Sequence, residues 1–528
     1  MSVPAIQPAD AAESLRTERE LGAVAAVLAG TTGPLAARPP EQAVVETLRD
    51  EIRAGGDPLG EAFCRIRTPR ERRDQGATYT PAAIVDNMLA WTVKHKSPAR
   101  VVDPGAGSGR FTLAAGHRFP EAALVAIETD PLAILILRAN AAVLGLSDRL
   151  TIEETDYRDL SLPAIDGPTL FIGNPPYVRH HRIDAQRKDW FVNTAAKHGL
   201  RASKLAGLHI HFFLKSLELA QPGDYGAYIT AAEWLDVNYG SVLRQALADG
   251  LGGLALHLLS PTAEPFPDAL TSAAITCWEA GHHGSSVAIR MIESPDELDG
   301  LRSGRSVPWS TLRKAHRWSP VIRPCGRRRA GAIELGELCR VHRGQVTGAN
   351  GVWVAGKYEG DLPARVLFPA ITRARELFSA GPVLARADHL RRIVDLPRDL
   401  DCLEGSDRDR LDEFLRWAQR QGAHKSYIAR HRRPWWTVGL RAPAPILCTY
   451  MARRPPAFVR NLCGARHINV AHGLYPRQDL SEAQLAALTE WLNGHVGTEQ
   501  GRTYAEGLTK FEPKEVERLL IPRLEDLG

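Results

Sequence analysis

The sequence predicts an α/β fold, a mainly parallel sheet with helices on both faces, followed by a domain of mixed α/β character. Three observations carry this. From Ala99 short apolar strands alternate with helical stretches, the pattern of a parallel sheet covered on both sides. A glycine-rich turn, Asp103-Pro104-Gly105-Ala106-Gly107-Ser108-Gly109, follows the first strand and opens a helix. After about Ser286 the alternation stops while Pro, Arg and aromatic residues become frequent.

The elements follow in order. Residues 10–72 read as helical, with Ala11–Leu28 rich in Ala, Glu, Leu and Arg, and Glu41–Arg53 bounded by Pro40 and Gly55. No chemistry is visible there, and a packing or edge appendage is expected. Strands are expected at Arg100–Asp103, Ala123–Glu128, Leu150–Ile152, Thr169–Ile172, Gly226–Thr230, Leu254–Leu259 and Ala273–Trp278. Helices are expected at Arg110–Phe119, Pro131–Leu144 (Pro in the first turn) and Leu208–Leu219, and near the end at Ser481–Val496 with Ser481 as cap. The domains expected are a helical segment 1–72, a catalytic domain 73–285 and a second domain 286–528.

Composition narrows the class. The chain has 528 residues, 44% hydrophobic and 24% charged, which suits a globular protein of several domains. No run of about 18 apolar residues is present, so no spanning helix and no membrane partner is expected. The N-terminus is acidic and amphipathic, unlike a secretory signal. Seven cysteines are scattered without a C-x-x-C pair, which fits a reducing cytoplasm and gives no zinc ribbon. The formal net charge is only +5, but Arg is clustered. One cluster lies between Arg302 and Arg343, including Arg327-Arg328-Arg329, and another between Arg430 and Arg466. Such clusters are either a footprint for nucleic-acid phosphates or a solvated face.

The glycine turn lacks the closing Lys-Ser/Thr of a phosphate-binding P-loop. Its glycines, Gly105, Gly107 and Gly109, let backbone pass close to a ligand. Asp103 precedes them. Glu128 ends the next strand, where a carboxylate can accept both hydroxyls of a ribose. Asp156 follows the third strand, where it can accept from an adenine amino group, with Tyr157 beside it as a stacking face. Ahead of the first strand stands Gly76-Ala77-Thr78-Tyr79-Thr80-Pro81 and then a helix. Thr80 and the free N–H groups of that helix start suit a carboxylate.

Asn174-Pro175-Pro176-Tyr177 follows the fourth strand. Two prolines make a stiff loop with few donors. The Asn174 side-chain oxygen and the Pro175 carbonyl are two acceptors able to grip both hydrogens of one planar amino group. Held out of plane, they favour a more tetrahedral nitrogen whose lone pair is free for a methyl donor. Pro176 stiffens the loop and Tyr177 can stack on a base.

Together these motifs, in this order, resemble the gamma-class N6-adenine DNA methyltransferases of restriction–modification systems. Ala232-Glu233-Trp234-Leu235 is similar to that family's Ala/Pro-x-x-Trp-Leu, and Glu264-Pro265-Phe266-Pro267-Asp268-Ala269 to the loop whose Phe packs the flipped base. The resemblance implies a Rossmann-like class I methyltransferase sheet, S-adenosylmethionine (SAM) as methyl donor, and no metal. Its substrate would be double-stranded DNA, with a separately encoded restriction endonuclease as partner. By resemblance, Asn174, Pro175, Pro176 and Tyr177 are catalytic. Thr80, Asp103, Gly105, Gly107, Gly109, Glu128, Asp156 and Tyr157 hold the cofactor, and Tyr177 and Phe266 hold the base. Leu335–Gly348 resembles the opening of the family's target-recognition domain, which would give Arg343 and Thr347 to DNA, and Thr503–Phe511 resembles its closing stretch. The base-reading positions match no motif. Asn-Pro-Pro-Tyr also serves enzymes that methylate RNA or protein glutamine, and those substrates stay open as alternatives.

Three features stand outside this pattern. His180-His181-Arg182 follows Tyr177, as a phosphate contact or a surface loop. His209 and His211 stand two apart on a helix, which is wrong for one metal. Trp435-Trp436 either stack on nucleic acid or pack a small core.

Overall fold

The computed structural model describes residues 8–31, 39–68, 71, 79–260, 272–302, 304–322, 332–358, 361–402, 404–504 and 508–527. Gly76, Ala77, Thr78, the Glu264–Ala269 loop with Phe266, Arg327, Arg328, Arg329 and Ala505–Gly507 lie outside them. The chain forms two compact units, Met1–Arg323 and Pro324–Gly528.

The first unit opens with helices α1 (Pro8–Ser14), α2 (Glu18–Ala29), α3 (Gln42–Arg53) and α4 (Pro58–Ile66). Thr17 and Glu20 close a capping box at α2, and Asp57 caps α4 with Pro58 in its first turn. In α3 the buried residues Val44, Val45, Leu48 and Ile52 recur at helical spacing and form one apolar stripe. Then follow α5 (Ala82–His95), β1 (Arg100–Pro104), α6 (Arg110–Arg118), β2 (Ala123–Ile127), α7 (Pro131–Val143), β3 (Leu150–Glu153) and β4 (Thr169–Gly173). After these come α8 (Ala185–Lys197), α9 (Leu208–Leu219), β5 (Tyr225–Ala231), α10 (Ser241–Asp249), β6 (Gly253–Leu259), β7 (Ala273–Glu279), β8 (Ser286–Ile292) and β9 (Arg305–Pro308).

The nine strands form one sheet in the order β3-β2-β1-β4-β5-β7-β6-β8-β9. β1 to β5 are parallel and β7 is antiparallel to both β5 and β6. β1 and β4 are buried along their whole length, as strands covered on both faces must be. This is the class I methyltransferase sheet. From β1 the chain builds outward to β2 and β3, then crosses back to place β4 on the other side of β1. In such a sheet the ligand crevice lies outside the carboxyl ends of the strands where the order reverses. Here those are the ends of β1 and β4.

Two boundaries differ from the expected ones. The sheet does not stop at residue 285, because β8 pairs parallel with β6, β9 pairs antiparallel with β8, and the unit runs on to Arg323. No long helix separates β7, β8 and β9, so strand–helix alternation fades while the sheet continues. Residues before 73 are not a separate appendage either. Leu21, Leu48, Leu59 and Phe63 share one core with Ala133, Ile136 and Ala139 of α7.

The second unit holds a five-stranded sheet in the order Cys339–Arg343, Ala471–Pro476, Ile446–Thr449, Phe458–Asn461, Val383–Leu384. The helix Glu482–His495 is capped by Ser481 in a capping box with Gln484, and its Leu485, Leu488 and Leu492 pack on Val341, Ile446 and Leu474. Trp435 and Trp436 pack against a core around Trp353 and Phe414, and the Trp436 indole donates to the Pro397 carbonyl. They serve packing.

Among the described residues no helix is long and apolar enough to cross a membrane, and no group of three His, Cys, Asp or Glu side chains could hold a metal.

Candidate active site

The turn after β1 is tied to the end of β2 by hydrogen bonds from the Gly105 and Ala106 N–H groups to the Ile127 carbonyl, 2.8 and 3.0 Å. Gly107 and Gly109 sit at φ 58° and 94°, where a side chain is strained. A Cβ on Gly109 would also lie 2.3 Å from Leu137 Cδ1, so glycine lets α6 close on α7. One on Gly107 would meet nothing within 4 Å, because this residue borders open space. That space is a cavity of about 360 Å³ lined by Gly105–Ser108, Glu128, Asp156, Asn174 and Pro176, among others.

Glu128 is locked at the cavity wall. One carboxylate oxygen accepts from the Gly107 N–H (2.9 Å), the other from the N–H groups of Thr129 (2.8 Å) and Asp130 (3.0 Å). Asp156 is fixed by Arg158, which donates through its backbone N–H (2.9 Å), Nε (2.9 Å) and Nη2 (2.6 Å). Burial would raise the Asp156 carboxyl, but the Arg158 bonds outweigh it and hold the group below the usual aspartate range. Sequence reasoning passed over Arg158, whose chemistry is indistinguishable in the sequence from that of a surface arginine.

Two expected cofactor contacts stand differently. Asp103 is buried beneath the turn rather than lining the cavity. Its Oδ2 accepts from the Thr112 N–H (3.0 Å) and hydroxyl (2.7 Å), which braces the start of α6. Burial pushes its carboxyl up to about 7 against those two bonds. Gly173 ends β4 beside it, where a Cβ would come within 2.8 Å of Asp103 Oδ1. Tyr157 borders the cavity but is only 1% exposed. Its ring packs on Phe212 at 4.9 Å and its hydroxyl pairs with Ser216 at 2.9 Å, so it acts as a wall rather than an open stacking face.

The Asn174–Tyr177 loop leaves β4 beside the glycine turn and lines the same cavity. The Asn174 amide nitrogen donates to the Thr80 hydroxyl (3.0 Å), and the Tyr177 hydroxyl donates to Asn174 Oδ1 (2.8 Å). The amide is thereby held at both ends. Pro175 is buried, and its carbonyl has no donor among the described residues. Pro176 backs onto Gly105, whose Cβ would lie 3.4 Å from Pro176 Cδ. The half-buried Tyr177 ring lies 6.0 Å from that of His209. His209 and His211 are both buried, which lowers both imidazoles, His211 to about 3. His211 stacks on Phe191 at 4.0 Å.

The N-terminal helices, where the sequence showed no chemistry, also reach the cavity. Phe63 lines it, and Asp57 accepts from the Ser108 hydroxyl and from Arg110 Nε, both at 2.8 Å. In the second unit Arg343 is exposed, with its guanidinium 4.6 Å above the Tyr450 ring. Thr347 is 1% exposed and its hydroxyl is taken by Asn350, while Arg432 donates to the Val346 and Thr347 carbonyls. Thr347 therefore shapes the loop after Arg343 and presents no surface of its own.

A glycine turn, an acid after β2, an acid after β3 and an Asn-Pro-Pro-Tyr loop at the switch point of this sheet define a class I methyltransferase. Comparison with known proteins gives the particular kind. Residues 327–528 match the C-terminal domain of Type II methyltransferase M.Eco57I, residues 169–250 the Eco57I restriction-modification methylase, and residues 84–204 the methyltransferase small domain. The chain is 54% identical to Type II methyltransferase M.XamI of Xanthomonas campestris pv. amaranthicola over 521 residues, 97% of each chain. It is 22% identical to Type II methyltransferase M.AccI of Acinetobacter calcoaceticus over 83% of this chain and 84% of that one. Its fold is similar to that of the Type IIL restriction-modification enzyme MmeI solved with DNA, at a TM-score of 0.59 and 15% identity, covering 92% of this chain and 74% of that one. The chain belongs to the SAM-dependent DNA methyltransferases of type II restriction–modification systems.

Proposed function

We propose that this protein transfers the methyl group of SAM to the N6 amino group of an adenine flipped out of duplex DNA, as the modification enzyme of a restriction–modification system. The observation that carries the reading is the Asn174 amide, fixed between Thr80 and Tyr177 at the cavity wall, with the Pro175 carbonyl beside it accepting from no donor among the described residues. SAM supplies an activated methyl on a sulfonium. The residues present suit it, since Glu128 and Asp156 are acceptors for ribose hydroxyls and an adenine amino group, and the open side of Gly107 leaves room for a ligand.

The chain's own groups then do three things. Asn174 Oδ1 and the Pro175 carbonyl accept the two amino hydrogens and orient the nitrogen lone pair toward the donor. Tyr177 offers a face to the base while its hydroxyl aims the Asn174 oxygen. A base within a duplex cannot reach such a crevice, so it is extruded. The second unit reads the sequence, with exposed Arg343 on the phosphates. RNA or protein glutamine is the less favoured substrate, because the likeness to M.XamI runs through residues 327–528 as well as through the shared catalytic motif.

Incubating the purified protein with SAM and unmodified duplex DNA, followed by nucleoside mass spectrometry, tests the base. N6-methyladenine is expected. Methylcytosine without methyladenine would reject the reading, as would methyl transfer to RNA or protein alone.

A further inference from the structure

We propose that Arg110 is a cofactor-binding residue, whose guanidinium takes the carboxylate end of SAM while Asp57 of the N-terminal helices and the Thr80 carbonyl hold it in place. The inference rests on SAM as the ligand of this cavity. Three acids, Glu128, Asp130 and Asp156, line the cavity, and Arg110 is the one Lys, Arg or His among the described lining residues. SAM carries hydroxyl and amino donors on its adenosine end and one carboxylate on its amino-acid end. The acids suit the first, and Arg110 offers the complementary charge for the second.

Placement agrees. Arg110 Nη1 donates to the Thr80 carbonyl at 2.9 Å, and the hydroxyl of the same Thr80 accepts from Asn174. The cation therefore lies on the Asn174 side of the cavity. The methyl must leave there, and the amino-acid arm shares the sulfonium with that methyl. The orientation of Arg110 is fixed on its other edge. Nε donates to Asp57 Oδ2, and the guanidinium lies 5.0 Å from the Tyr79 ring centroid. Nη2 has no partner among the described residues, so half of the guanidinium fork remains for a carboxylate.

Asp57 is anchored as a positioning residue. Besides Arg110 it accepts from the Gly60 N–H (3.0 Å), the Ser108 hydroxyl (2.8 Å) and Asn140 Nδ2 (3.3 Å). One carboxylate thus caps α4, ties the N-terminal helices to the glycine turn and aims Arg110. This gives the N-terminal helices, which carry no motif, a part in positioning the group that holds the methyl donor.

Calorimetry on the full chain tests this with two ligands. S-adenosylhomocysteine carries the carboxylate, and 5′-methylthioadenosine lacks the amino-acid arm. Arg110→Met should lower affinity for S-adenosylhomocysteine about tenfold or more, the loss of a charge-assisted bond, and leave 5′-methylthioadenosine within about twofold. Arg110→Lys should recover part of the loss, and Asp57→Asn should show a smaller loss with the same selectivity. Unchanged S-adenosylhomocysteine affinity in Arg110→Met would overturn the proposal. So would equal losses for both ligands, which would reduce Arg110 to a prop of the glycine turn. Wild-type protein that binds neither S-adenosylhomocysteine nor SAM would instead remove the methyl-donor reading, and this proposal with it.

Discussion

Tyr177 donates its hydroxyl to the side-chain oxygen of Asn174 at 2.8 Å, the oxygen we propose as acceptor for the target amino group. With the Thr80 hydroxyl accepting from the other end of the amide, Asn174 reaches the reaction already oriented. Each partner should therefore have a different signature. Asn174→Ala should lower kcat by about 10²–10³, while SAM and DNA still bind. Tyr177→Phe keeps the ring and loses one neutral hydrogen bond, about 0.5–1.5 kcal/mol, so kcat should fall no more than about tenfold. Tyr177→Ala should in addition weaken DNA binding, since base–aromatic stacking contributes about 1–3 kcal/mol. Turnover with separate binding measurements reads all three. Wild-type turnover by Asn174→Ala would remove it from the chemistry.

The carboxylates after β2 and β3 should govern the donor's affinity. Glu128→Ala should weaken SAM binding by about 1.5–3 kcal/mol, roughly ten- to a hundredfold. Arg158→Ala releases Asp156 from two side-chain hydrogen bonds and should also weaken SAM, though Arg158 is not among the cavity-lining residues. Calorimetry reads both, and unchanged affinity in folded Glu128→Ala would take that residue out of the site.

Arg343 and Thr347 separate contact from support in the second unit. Arg343→Ala should weaken DNA binding and lower the slope of log affinity against log salt by about one. Thr347→Val, at a buried position, should change unfolding temperature but leave that slope alone. Fluorescence anisotropy across a salt series distinguishes them. An unaltered slope in Arg343→Ala would mean that this arginine meets no phosphate.

Buried His257 should make the first unit acid-sensitive. It lies on β6 in register with Arg290 of β8, and neither ring nitrogen has a partner among the described residues. Burial, helped by Arg290, lowers its imidazole to about 4, against about 6.5 when unfolded. A folded pKa below the unfolded one contributes stability that is full above about 6.5 and is lost as pH falls toward 4. At pH 5 the loss is about 2 kcal/mol. His257→Met lacks this titration, so its unfolding temperature should drop less between pH 7.5 and 5 than that of the wild type. Equal drops would show that His257 does not titrate with folding.

Much of the fold was legible because parallel strands declare themselves in order. The apolar segments at 123–128, 150–152 and 169–172 end at or just before residues that line the crevice, so Glu128, Asp156 and Asn174 could be placed without coordinates. What escaped depends on contacts far apart in sequence. Arg158, Asp57 and Phe63 have no local pattern that separates a site residue from a surface or core one. Asp103 and Tyr157 stand beside the motif in sequence yet are turned into the core, a difference of side-chain direction that spacing does not encode. β8 and β9 were hidden because consecutive strands without intervening helices break the alternation that marked the rest.

Sequencing of methylated bases in a host expressing this chain tests the central claim most directly. Wild type should leave N6-methyladenine within one defined sequence throughout the host genome, and Asn174→Ala, expressed at the same level, should leave most of those sites unmodified. Adenines that stay unmodified in DNA of the wild-type host, or a motif that persists unchanged with Asn174→Ala, would contradict the account.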